Sequence, residues 1–159
     1  MHRPLVLFAA LALQAPLLSG CANRYIPNTD VEDSSDNRKI ITFCERYRHA
    51  VERRNVGELL SLVSPDYYED GGNIDASDDL DFAGLKDYLT NKFQDVKAIR
   101  YEIRYRRIVR EDDVIYVDYT YSASYRIPRG KGDEWRRKVE ENRLEIVPHQ
   151  DKFLIVAGM

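Results

Sequence analysis

The chain has 159 residues, with 24 Lys and Arg against 27 Asp and Glu, for a net charge of −3. That balance excludes the strongly basic footprint of a nucleic-acid-binding protein. The length and the 43% hydrophobic content suit one globular domain, and 11 tyrosines point to sheet.

At the N-terminus, His2 and Arg3 precede an apolar run from Leu5 to Leu18, broken only by Gln14 and Pro16. The run is shorter than the roughly 20 residues that a membrane-spanning helix needs, and it matches the apolar region of a secretory signal. Leu18, Ser19, Gly20 and Cys21 follow. This quartet resembles the lipobox of bacterial lipoproteins, in which the cysteine is lipidated and becomes the new N-terminus. An ordinary signal with a chance cysteine leaves the offset of Cys21 from the run unexplained. The resemblance implies a signal over residues 1–20 and a membrane anchor at Cys21, two or more acyl chains holding stably where one does not. Ala22, in place of the aspartate that favours inner-membrane retention, points to the outer membrane facing the periplasm. With Cys21 lipidated, Cys44 has no partner for a disulfide and is expected to be a small buried hydrophobe.

Residues 22–37 are polar, acidic and aperiodic, which predicts a flexible tether averaging about 22 Å end to end and reaching about 55 Å at most. The domain is then expected over residues 38–159. Ile40, Phe43, Cys44, Tyr47 and Val51 recur at helical spacing, so a first amphipathic helix is predicted with Asn37 as its cap. Asn55 to Gly57 breaks it, and Glu58 to Val63 forms a second, short helix. An aspartate- and glycine-rich loop leads to Asp81, the expected cap of a third helix that buries Leu85, Leu89 and Phe93 and ends near Gln94.

The period then changes from 3.6 to 2. Ile99 to Arg106 alternates apolar with charged, and Ile115 to Ile127 does so over a longer run, giving two strands. PRGKGDE is read as a loop, Lys138 to Val147 as a third strand, and Lys152 to Ala157 as a last, fully buried one. The fold class is α+β, with N-terminal helices packed on a curved four-stranded antiparallel sheet.

Three stretches, RRNVGELLSLVSPDYYED, DFAGLKDYL and RLEIVPHQDKFLIVAGM, resemble the nuclear transport factor 2-like superfamily, a cone-shaped fold shared with ketosteroid isomerase, scytalone dehydratase and polyketide cyclases. The likeness runs from about Ile40 to Met159. It implies a cavity between sheet and helices, for which the strand alternation nominates Tyr101, Tyr105, Tyr119 and Tyr121, with Tyr47 from the first helix and Glu140 and Asn142 near the mouth. One β-bulge would exchange the two faces.

Enzymes of this superfamily use an inward aspartate, histidine or tyrosine. His49 lies off the apolar stripe and His149 lies in a turn, so both are expected to be exposed. A tyrosine with Glu140 is the remaining acid–base pair, although strand tyrosines more often fill space. The acidic loop, with Asp66, Glu69, Asp70, Asp75, Asp78, Asp79 and Asp81, departs from the calcium-loop pattern at Gly72, and no metal or cofactor is expected. On the outer sheet face, Arg100, Arg104 and Arg106 stand against Asp118, Glu141 and Glu145, either as solvated cross-strand pairs or as a docking face for a homodimer. The leading expectation is an envelope lipoprotein that binds a partner protein or a small apolar ligand without catalysis. The alternative is an isomerase, dehydratase or cyclase using cavity tyrosines and a carboxylate.

Overall fold

A computed structural model describes residues 24–72 and 76–159. The leader, Cys21 and Asp75 lie outside the described residues. Three helices come first: α1 (Ser35–Glu52), α2 (Val56–Leu60) and α3 (Phe82–Gln94). Between the last two, β1 (Tyr68–Glu69) pairs with β2 (Leu80–Asp81) within the stretch expected as loop. A four-stranded antiparallel sheet follows, β3 (Ala98–Glu111), β4 (Val114–Arg129), β5 (Gly132–His149) and β6 (Lys152–Ala157), in the order of the chain. None of the described helices is long and apolar enough to cross a membrane.

Local chemistry sets the helix ends. Ser34, not Asn37, caps α1: its Oγ accepts the Asn37 N–H at 3.1 Å, while the Asn37 side chain donates to the Glu32 carbonyl. Such a cap is worth about 1 kcal/mol. Asn55, expected only to break the chain, caps α2 by accepting the Glu58 N–H at 3.0 Å, so that helix starts and ends earlier than predicted. Asp81 caps α3 through the Gly84 N–H at 2.7 Å. The apolar stripe of α1 buries Ile40, Phe43, Cys44, Tyr47 and Ala50, and burial pushes the Cys44 thiol up. Opposite them stand Val117, Leu144, Ile146 and Ile155, none with measurable exposure. A fully buried leucine or isoleucine contributes roughly 2 kcal/mol.

Three expectations for the strands need correction. β3 continues past Arg106 because a bulge between Tyr105 and Arg107 absorbs one residue and restores the alternation, with Ile108 opposite Val117. β5 begins at Gly132 rather than Lys138, since Gly130, at φ 58°, makes a tight turn where a loop was expected. In β6 only Ile155 is buried.

The largest correction concerns the tether. From Arg24 on, the segment is docked on the domain. Ile26 and Val31 are buried, the chain folds back on itself with Tyr25 paired to Glu32, and the Asp30 N–H donates to the Tyr105 carbonyl at 2.9 Å. Asp30 also receives Arg104 and Arg106 at 2.7 and 2.9 Å. Two apolar anchors and an edge-strand carbonyl outweigh the polar composition that predicted coil.

Candidate functional site

The register of β4 against β5 puts Tyr119 opposite Asn142 and Tyr121 opposite Glu140. Leu144 follows opposite Val117 and Ile146 opposite Ile115, so these four polar residues continue the face whose other end is core. Tyr101, on β3, stacks at 5.3 Å from Tyr121 and meets the edge of Tyr47 on α1 at 6.4 Å. The seven nominated residues are thereby contiguous. Tyr105 stands directly opposite Tyr119, but its hydroxyl is engaged elsewhere, donating to Glu45 of α1 at 2.8 Å.

The interior end of this cluster is dry. Tyr47, Tyr101 and Tyr119 are buried, with Tyr119 1% exposed. Burial pushes all three hydroxyls up, with the neighbouring phenols adding to the rise at Tyr101 and Tyr119 and opposing it at Tyr47, so all three are neutral at any physiological pH. Asn142 Nδ2 donates to the Tyr119 hydroxyl at 3.1 Å and to the Gly158 carbonyl at 3.2 Å.

The outer end is wet. Glu140 is exposed, accepts the Tyr121 hydroxyl at 2.8 Å, and pairs with Lys138 at 2.7 Å. Lys138 and then the phenol hold its carboxyl below the usual carboxylate range. The strip therefore carries neutral hydroxyl donors at one end and an ionised carboxylate at the other. His49 is about half exposed beside Glu52, and His149 is exposed. Neither borders the strip among the described contacts.

On the opposite face, Asp118 holds Arg107 at 2.8 Å and Arg143 at 2.6 Å, flooring a groove of about 630 Å³. Arg143, then Arg107, keep the Asp118 carboxyl below its ordinary value. A carboxyl depressed in the folded state contributes stability that is complete above its unfolded value and is lost as pH falls through the folded one. Below about pH 4 the urea midpoint should therefore drop more steeply in the native protein than in Asp118→Asn. Equal slopes would show that the two arginines add nothing.

Glu45, Arg48 and Glu52 escaped the sequence reading. They share one side of α1, and Arg48 bonds both carboxylates, at 2.8 and 2.9 Å, and the Tyr101 carbonyl at 3.2 Å. The (i, i+3) and (i, i+4) spacing of opposite charges was the available signal. Nothing in it says that a strand edge lies beneath.

No protein-family model matches the chain, and no curated protein matches it significantly. Solved structures do. A conserved protein from Planctomyces limnophilus superposes with a TM-score of 0.65 at 14% identity, covering 78% of this chain and 93% of that one. A Streptomyces avermitilis protein described as a dehydratase from the nuclear transport factor 2-like family has the same score at 11% identity, covering 78% and 94%. A ketosteroid isomerase-like protein from Erwinia carotovora atroseptica gives 0.61 at 12%, covering 79% and 95%. At these identities the likeness establishes the fold alone, and that fold is the nuclear transport factor 2-like one.

Proposed function

We propose that this chain is a bacterial envelope lipoprotein, anchored through Cys21 in the outer membrane and facing the periplasm, whose domain carries out acid–base chemistry of the isomerase, dehydratase or cyclase type on a small apolar carbonyl compound. The helices and a curved sheet would form the cone that holds the compound. One observation carries the chemistry: Tyr119, Tyr121, Glu140 and Asn142 share one face of two paired strands. A neutral phenol donates to an oxygen on which negative charge develops. An ionised carboxylate within reach of the same molecule accepts its proton. The descriptions of the Streptomyces and Erwinia proteins support this reading over one without chemistry.

Binding of a partner or an apolar ligand without catalysis is the second reading. It is favoured by the close burial of Tyr47, Tyr101 and Tyr119 and by the ion pair that makes Glu140 a weaker base. A panel of β,γ-unsaturated and β-hydroxy ketones separates the two. Under the catalytic reading one of them turns over, and Glu140→Gln and Tyr119→Phe each lower kcat about 100-fold or more, exposed Glu140→Gln doing so without moving the melting temperature. Ketones that raise the melting temperature but are never converted would instead support binding alone. Anchoring has its own test: Cys21→Ser should abolish acylation and membrane partitioning, and a variant that is still acylated would sink that half of the proposal.

A further inference from the structure

Between α1 and the turn joining β5 to β6 lies a groove of about 740 Å³. Its floor is aromatic: Phe43 and Phe153 pack with centroids 5.7 Å apart, tilted by 60°. Its rim is cationic, with Arg38, Lys39, Arg46 and Lys152 against the single carboxylate of Asp151. Arg38 is held by Asp33 at 2.5 Å and Lys39 loosely by Asp36 at 3.4 Å. Arg46 and Lys152 are exposed and have no ion-pair partner among the described residues. An apolar floor under two free cations suits an amphipathic anion.

The position of Arg24, the first described residue, says which one. The Asp33 N–H donates to the Arg24 carbonyl at 2.9 Å, and the Asp33 carboxylate is the group that grips Arg38 on the groove's rim. Arg24 and the rim are thus joined through one residue. Three peptide steps separate Arg24 from Cys21, a span of about 11 Å at full extension. A free tether of sixteen residues could hold the domain well clear of the lipid, but docking of residues 24–34 removes most of that length. Exposed Tyr25, with the Arg24 guanidinium 5.5 Å from its ring, is the kind of side chain that settles at a membrane interface.

Resting on the anchoring reading above, we propose that this groove binds an anionic phospholipid of the membrane to which the chain is attached. The lipid phosphate lies between Arg46 and Lys152, and its apolar portion covers Phe43 and Phe153. The domain then lies against the bilayer by its α1 N-terminal end, and the β4–β5 turn at Gly130, at the other end of the sheet, points away from it.

The test uses the chain from residue 21 on, carrying Cys21→Ser, so that no acyl group holds it, and co-sedimentation with vesicles. Phosphatidylcholine vesicles containing a quarter phosphatidylglycerol should bind it, and pure phosphatidylcholine should not. Arg46→Glu with Lys152→Glu should weaken binding about tenfold or more. Arg129→Glu with Lys131→Glu, the same charge change at the far end, should leave it within about twofold. Equal binding to both vesicles, or equal losses in the two double variants, would overturn the proposal. Absence of acylation at Cys21 in the native protein would defeat the anchor while leaving the vesicle result intact, so the two failures are distinguishable.

Discussion

Gly158→Ala is expected to lower the melting temperature by about 10 °C, a loss of about 3 kcal/mol. Gly158 has φ 85°, and a Cβ there would stand 1.8 Å from the Arg143 carbonyl oxygen and 2.9 Å from its carbon. Both atoms are backbone of β5, which pairs on both sides, so the obstacle cannot rotate away as a side chain would. Gly158 cannot retreat either. Its N–H donates to Glu69 at 2.6 Å and its carbonyl accepts from Asn142 at 3.2 Å, while the next N–H, of Met159, donates to the Tyr67 hydroxyl at 3.2 Å. Gly130→Ala is the control. Its φ of 58° is similarly left-handed but nothing lies within 4 Å of the added carbon, so the cost should be about 1 kcal/mol. If the two variants melt together, the clash is not what makes Gly158 necessary.

Strand alternation made much of this molecule legible, because period 2 needs only one apolar face to declare itself. Ile99, Tyr101, Ile103 and Tyr105 line up against Tyr125, Ala123, Tyr121 and Tyr119 in the structure. The bulge was not legible. Arg106 and Arg107 are both polar and both reach the outer face, Arg106 to Thr120 and Arg107 to Asp118, so the pattern reads as a strand that stops. The first half of β5 hid for a related reason: Asp133 to Arg137 carries no alternation, and its order comes from pairing with β4, the Lys97–Asp133 ion pair and Arg100 over the Trp135 ring. In the N-terminal segment only Ile26 and Val31 are apolar and buried, five positions apart with Asn28 at φ 62° between them. A hairpin held by two side chains has no period to detect. Within the candidate site, the tyrosines followed from strand parity. The role of Gly158 did not, because it depends on β5 backbone that is close only after folding.

Glu52→Ala should lower stability by about 2 kcal/mol, with Glu52→Gln recovering most of it. β3 is an edge strand, and its outward N–H and C=O groups would otherwise be open to another chain. Helix α1 closes that edge with side chains. Glu52 accepts the Tyr101 N–H at 3.1 Å and Arg48 donates to the Tyr101 carbonyl at 3.2 Å, while Glu52 and Glu45 hold Arg48 in place. Further along, the docked N-terminal segment closes the same edge at the Tyr105 carbonyl. Alanine at 52 removes the acceptor from a half-buried amide and half of the charge around Arg48, whereas glutamine keeps the acceptor. Urea midpoints read the stability, and light scattering reads the edge: Glu52→Ala should associate at concentrations where Glu52→Gln stays dispersed. If both variants match the native protein, the Glu52 contact is ornamental. A midpoint that drops without association would instead mean that the docked N-terminal segment is sufficient to guard the edge.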